Sequence, residues 1–179
     1  MIEIRIHGRG GQGAVTLAHI LSMAATYEGK YGQSSQGLTV ERRGAPIMGF
    51  ARIGDKPISE RGAMSKPDYV VVIDPLILGA VDVEAGLAKG GIIVANTVNT
   101  PKVKHKCVTV DATSIALEIL KRSITNTVML GAVVAATNIV TLESIKKGTR
   151  FILGKKLPED AIEANLRAIQ KAYDDVKSS

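Results

Sequence analysis

The chain has 179 residues, 45% of them apolar, and a formal charge of +6, which describes one domain with enough apolar material for a sizeable core. Its single cysteine, Cys107, excludes an internal disulfide and any iron–sulfur cluster ligated by cysteines of this chain alone. A positive charge suits phosphate-bearing ligands, acidic proteins or nucleic acid, but four Tyr, two Phe and no Trp make no base-stacking platform, and the Lys and Arg residues are dispersed, so no nucleic acid is expected as a partner.

Ile2, Ile4 and Ile6 alternate with Glu3, Arg5 and His7, which reads as a strand near an edge of a covered face. This charged start is not a secretory signal. The longest apolar run, Thr127 to Val140, is too short and too polar for the roughly 20 residues of a membrane span. A cytoplasmic protein with no membrane partner is expected. Gly8, Gly10 and Gly13 then fit G-x-G-x-x-G, and Ala14 to Tyr27 reads as a buried helix ending at Gly29. Strand, glycine loop and helix open a βαβ unit.

From Tyr31 to Gly49 the sequence is polar and irregular, as in a long functional loop. Ile47 to Ile53 reads as a strand, Gly54-Asp55 as a turn, and Lys56 to Ile58 as a short return. Tyr69 to Ile73 (YVVVI) is the continuous β-branched run of a central parallel strand covered on both faces. Asp74-Pro75 ends it. Asp74 stands at a strand's carboxyl end, where α/β sites collect, and a turn-forming Asp before proline accounts for it equally well. A helix is expected over Leu76 to Leu87, strands at Ile92 to Ala95 and Cys107 to Val110, and a helix over Asp111 to Lys121. Cys107 reads as a buried structural thiol, and the basic run Lys102 to Lys106 as a solvated edge.

Asn126 to Thr137 is a helix of small apolar residues, so it must be buried on every side, by this domain or by another subunit. The last helix starts at Pro158, with Glu159 and Asp160 at the positive end of its dipole and a stripe of Ile162, Leu166, Ile169, Tyr173 and Val176. The alternation predicts an α/β fold: a single Rossmann-like domain over residues 1–179, with a mostly parallel sheet and helices on both faces. His7, His19 and His105 have no metal-ligand spacing, and His19 reads as a core histidine. No paired carboxylates and no nucleophile–base set appear, so neither catalytic residues nor a metal site are assigned.

The glycine loop gathers backbone N–H groups and a helix N-terminus at one point, both attractive to phosphate, and Arg9 adds a positive side chain. A nicotinamide site also needs an acid about 20 residues on, where this chain reads GKYGQSSQGL. That absence favours a phosphate-bearing ligand of another kind, or glycines used only for a tight turn.

Three stretches, HGRGGQG at His7 to Gly13, TVERRGAPIMGFARI at Thr39 to Ile53 and DYVVVID at Asp68 to Asp74, together resemble the gamma subunit of the pyruvate:ferredoxin oxidoreductases and related 2-oxoacid oxidoreductases. The resemblance covers the whole chain. It implies a reaction in which pyruvate, coenzyme A and oxidised ferredoxin give acetyl-CoA, carbon dioxide and reduced ferredoxin. It implies alpha-, beta- and delta-type subunits as partners, with thiamine diphosphate, magnesium and iron–sulfur clusters held by them. This chain carries no GDG followed by NN for a thiamine diphosphate metal, so alone it is expected to be inactive, as a monomer or a homodimer. The resemblance gives Gly8, Arg9, Gly10, Gly11, Gln12 and Gly13 to coenzyme A, and gives Glu41, Arg42, Arg43 and Gly44 an interface or substrate-proximal place. The competing reading is a free-standing Rossmann-like nucleotide-binding protein.

Overall fold

The computed structural model describes residues 1–37 and 44–179. Six strands form one sheet: β1 (Ile2–Arg9), β2 (Tyr31–Gln36), β3 (Pro46–Gly54), β4 (Tyr69–Val72), β5 (Ile92–Asn96) and β6 (Lys106–Val110), in the spatial order β2-β3-β1-β4-β5-β6. β1, β4, β5 and β6 are mutually parallel, and β3 pairs antiparallel with both β1 and β2. The sheet is therefore mostly parallel, with β3 the strand that runs against the rest.

The helices are α1 (Ala14–Tyr27), α2 (Ala112–Ile115, continued by a π-helical turn over Ala116–Leu120), α3 (Asn126–Thr137), α4 (Leu142–Leu153) and α5 (Glu159–Ser178). Strand alternation sorts the side chains into two layers. Ile4 and Ile6 of β1, Val71 of β4 and Val94 of β5 join Leu17, Leu21, Met129, Leu130, Ile145 and Ile169 in the main core. Val70, Val72, Ile93 and Ala95 face the other way, onto Ile77, Val83 and Leu87. β4 is thus covered on both faces, as its unbroken apolar run requires.

The expected helix over residues 76–87 is not there. A 3-10 turn, Pro75–Gly79, and further turns cover that face instead. Asp74 caps the 3-10 turn by accepting from the Leu76 N–H. The helices of the described residues consequently line one face of the sheet, where helices on both faces were expected. The long loop expected from Tyr31 to Gly49 is also corrected: its first six residues form β2, an edge strand of polar residues, and residues 38–43 lie outside the described part. α4 had no counterpart in the sequence reading.

β1 lies inside the sheet rather than near an edge, which changes the reading of Arg5 and His7. Both are buried. Burial of a guanidinium is tolerated when its donors are paired. Arg5 Nε donates to His7 Nε2 at 3.0 Å, and Arg5 Nη2 donates to the carbonyls of Val83 and Ala85 at 2.9 and 2.7 Å. The pair therefore ties the turns after β4 onto the sheet. Burial, reinforced by the Arg5 charge, pushes the His7 imidazole down to about 4, so it stays neutral and can accept from Arg5.

α3 is buried along Asn126 to Ala135, and α5 packs directly on it. Of the two explanations left open, burial within this domain accounts for it. Gly131 makes the contact possible, since a Cβ there would lie 2.0 Å from the Ile169 carbonyl oxygen. α5 begins at Glu159, with Pro158 one residue outside it, and its predicted stripe faces α3 and the sheet.

Candidate functional site

β1 and β4 are adjacent and parallel, yet the chain leaves β1 toward β3 and leaves β4 toward β5. This is a switch point, and ligands of open α/β sheets bind outside the strand carboxyl ends at such places. A cleft of about 650 Å³ opens there. Its walls come from the glycine loop (Gly11, Gln12, Gly13), the end of β4 (Ile73, Asp74), the end of β5 (Asn96), the starts of α2 and α3 (Thr113, Thr125, Asn126), and Lys156 after α4.

The loop is held from below by a network. Asp74 Oδ2 accepts from Arg9 Nε at 3.1 Å and from Gln12 Nε2 at 2.8 Å, while Gln12 Oε1 accepts from the Arg9 N–H at 2.7 Å. Arg9 Nη1 also donates to the Gly44 carbonyl at 3.0 Å, and the backbones of Gly10 and Gly44–Ala45 exchange hydrogen bonds. Both sequence readings of Asp74 therefore hold: it caps a turn, and it stands in the site. Its carboxylate is already occupied by three donors, which leaves it poorly placed to hold a ribose. The strand after α1 is β2, at the far edge and separated from β1 by β3, so it does not supply beside β1 the acid that a nicotinamide site needs.

The electrostatics of the cleft favour an anion. α1 and α3 both begin at it, neither has a side-chain cap, and neither carries an acid in its first turn. α2 and α4 are capped by Asp111 and Thr141. The unpaired N–H groups and the dipoles of two full-length helices thus converge on one point. Asp74 is the one carboxylate among the lining residues, and Lys156 adds a cation.

Gly13 joins the two helices. It has φ +80°, and a Cβ there would meet Asn126 Nδ2 at 2.3 Å. Asn126 Nδ2 donates to the Gly13 carbonyl at 3.4 Å. Asn96 ties the next two elements together: its Nδ2 donates to the Ile73 carbonyl and to Thr113 Oγ1, at 2.9 and 3.0 Å.

Of the residues singled out from sequence, Gly11, Gln12 and Gly13 line the cleft. Arg9 lies behind it, turned to Asp74 and Gly44. Gly8 is in β1 and Gly10 at the β1–loop junction. Gly44 bonds to the loop, and Glu41, Arg42 and Arg43 lie outside the described residues. His19 is exposed at the cleft rather than packed in the core. Asn96, Thr113, Thr125, Asn126 and Lys156 were missed. Their only sequence signal is position, at a strand end or a helix start.

Two other groups settle outside the site. Cys107 is only partly buried, its thiol pushed up to about 11 by burial and by the Glu84 charge. The Lys104 and His105 backbone N–H groups donate to Glu84, and the His105 ring lies 2.7 Å from the same oxygen, which holds the Glu84 carboxyl below its usual range. The basic run is thus an edge tied back onto the second face. Among the described residues, no group of His, Cys, Asp and Glu could hold a metal ion, and no helix is long and apolar enough to cross a membrane.

Residues 3–175 match the pyruvate ferredoxin/flavodoxin oxidoreductase family. The chain is 52% identical over 176 residues to the pyruvate/ketoisovalerate oxidoreductases common subunit gamma of Thermococcus litoralis, covering 92% of this chain and 95% of that one. It is 48% identical over 180 residues to pyruvate synthase subunit PorC of Methanothermobacter marburgensis, covering 100% and 99%. The crystal structure of pyruvate oxidoreductase subunit PORC from Thermotoga maritima superposes with a TM-score of 0.84 at 41% identity, over 97% of this chain and 95% of that one. A 2-oxoglutarate:ferredoxin oxidoreductase from Magnetococcus marinus, with 2-oxoglutarate, coenzyme A and succinyl-CoA bound, shares the fold at a TM-score of 0.81 and 19% identity. The likeness takes in 99% of this chain and 31% of that much longer one.

Proposed function

The chain belongs to the pyruvate ferredoxin/flavodoxin oxidoreductase family, and we propose that it works as the gamma-type subunit of a pyruvate (2-oxoacid):ferredoxin oxidoreductase, lending coenzyme A a phosphate site at the junction of the subunits. The observation that carries this reading is the cleft at the β1–β4 switch point, where two uncapped helix N-termini meet. Coenzyme A is a nucleotide rich in phosphate, and such a place offers it N–H donors and dipoles without the cost of neutralising nearby free carboxylates.

In the reaction, pyruvate loses carbon dioxide, its acetyl group becomes attached to the coenzyme A sulfur, and the electrons released leave on ferredoxin. Thiamine diphosphate with magnesium, on a partner subunit, would supply the electron sink for decarboxylation, and partner iron–sulfur clusters would supply the path for electrons. This chain's own part is binding and positioning. The backbone of Gly11 and Gly13 and the helix starts hold phosphate. Gln12, Asp74 and Arg9 keep the loop in shape. Gly44 bonds to the loop, and Glu41, Arg42 and Arg43, which precede it directly in the sequence, suit a contact with a neighbouring subunit, the arginines through their planar fork.

The test is to tag this chain and recover it from its own cells grown without oxygen. The expected result is equal amounts of a chain with GDG and NN motifs and of a chain with cysteine clusters. Recovery of the tagged chain alone contradicts the subunit reading, and free nucleotide binding by the isolated chain then supports the free-standing alternative.

A further inference from the structure

β2 stands at one edge of the sheet, paired with β3 on its inner flank. Directly opposed residues of an antiparallel pair alternate between bonded and non-bonded. Just beyond the strand, the Gly37 N–H donates to the Met48 carbonyl at 2.8 Å. Counting back by twos, Ser35, Gln33 and Tyr31 turn their backbone groups to β3, opposite Phe50, Arg52 and Gly54. The N–H and C=O groups of Gly32, Ser34 and Gln36 therefore point outward, and they have no partner among the described residues.

Sheet edges are normally guarded by charge, proline or a bulge. β6, at the opposite edge, carries Lys106, with Lys102 and Lys104 just before it. β2 reads YGQSSQ, with no charge and no proline, and it pairs with β3 residue for residue, without a bulge.

We infer that a second copy of this chain pairs with this edge, β2 against β2, so that the two sheets run on as one across a two-fold axis. The strand fits itself in one register. With the axis at Ser34, Ser34 lies opposite its own copy and Gly32 lies opposite the second copy's Gln36, so all three outward residues enter bonded pairs. α1 packs on Gly32, where a Cβ would lie 2.1 Å from the Ser22 carbonyl oxygen. Gln33 and the second copy's Ser35 meet on the face away from α1, close enough for their side chains to bond. Tyr31, 48% exposed, stands against the second copy's Gly37, which has no side chain to exclude the ring. A two-fold contact sets a patch against itself. An uncharged strand bears this, because like charges directly opposed repel.

Sedimentation equilibrium of the isolated full chain, across the micromolar range, tests the pairing. The expected mass rises with concentration from 18.9 kDa toward twice that value, with the weak affinity of a small contact. Ser34→Pro removes an outward N–H and leaves the ladder to β3 whole. It should raise the dissociation constant about tenfold or more, since each copy loses a hydrogen bond. A pair of double variants tests the register and serves where the proline variant fails to fold. Gln33→Glu with Ser35→Glu sets carboxylates against each other and should give a monomer. Gln33→Glu with Ser35→Lys sets opposite charges together and should restore the dimer. Glu at residue 33 still offers Arg52 Nη1 the acceptor that Gln33 provides.

A wild-type chain that stays at the monomer mass throughout overturns the inference and leaves the edge to a strand of another subunit. A dimer untouched by Ser34→Pro and by the two carboxylates is joined elsewhere, which also overturns it. Loss of the dimer in both double variants alike contradicts the pairing of Gln33 with Ser35, and the register falls with it.

Discussion

Gly131→Ala tests how α3 is held, and through α3 the floor of the cleft. A Cβ at residue 131 would stand 2.0 Å from the Ile169 carbonyl oxygen and 3.0 Å from the Tyr173 nitrogen. Both are backbone atoms of α5, so no side chain can rotate away. Restoring a separation of about 3.5 Å means moving α5 outward by roughly 1 Å or more, away from a layer in which Ile169 and Ala172 are fully buried. Overpacking of this kind costs about 1–3 kcal/mol, and contact with backbone places it at the upper end. Alanine regains about 1 kcal/mol of helix propensity over glycine. The net loss is about 2 kcal/mol, or roughly 4–8 °C in Tm for a chain of this size. Urea denaturation of wild type and variant should show a lower midpoint with an unchanged slope. A variant as stable as the wild type, or more stable, refutes the packing of α3 on α5 and with it the placement of Asn126.

Arg9→Glu puts a second carboxylate against Asp74 and removes the tie to Gly44. It should loosen the loop by about 1–2 kcal/mol for this partly exposed pair and raise the apparent KM for coenzyme A sharply; an unchanged KM detaches the loop from coenzyme A. His7, depressed to about 4 from 6.5 in the folded chain, resists protonation there but not in the unfolded chain. Stability is therefore full above pH 6.5 and falls as pH drops toward 4, by up to roughly 3 kcal/mol. His7→Gln, which still offers an acceptor to Arg5, should flatten that part of the pH–stability curve, and a curve of unchanged slope contradicts the assignment. Cys107, with its thiol raised to about 11 from 9.0, should react with a disulfide reagent at pH 8 about a hundredfold more slowly than a free thiol; a rate equal to that of free cysteine shows the thiol to be unperturbed.

The parts of the fold that were legible in the sequence are those where one period dominates. The unbroken β-branched runs of β4 and β5, the all-apolar α3 and the striped α5 each have a single stable solution, and the glycine loop marks its own place between β1 and α1. Where residues serve a partner rather than a period, the sequence was misleading. Arg5 and His7 alternate with isoleucines as solvent-facing residues do, yet they pair with each other and with carbonyls after β4, so they are buried. Residues 76–87 carry enough apolar side chains for a helix, but Pro75, Gly79 and Gly86 break it into turns that still cover Val70 and Val72. β2 is polar because one flank and much of its surface face outward. α4 was passed over because charged residues and Gly148 interrupt its apolar positions, although Thr141 caps it at Ser144 and Leu142, Ile145 and Ile152 pack on the core.

The site was half legible for the same reason. Glycine spacing points at an anion, so Gly11 and Gly13 were found. Asn96 and Asn126 act through contacts across 17 and 113 residues of chain, to Thr113 and Gly13, and no local pattern records a contact of that kind.

The central claim, that coenzyme A sits across the two helix N-termini of this chain in the assembled enzyme, is tested most directly by hydrogen exchange of the purified complex with and without coenzyme A. The account predicts slowed exchange in two peptides of this subunit, residues 11–17 and 123–129, and little change in α5. Protection confined to the partner subunits, with both of these peptides unaffected, contradicts it.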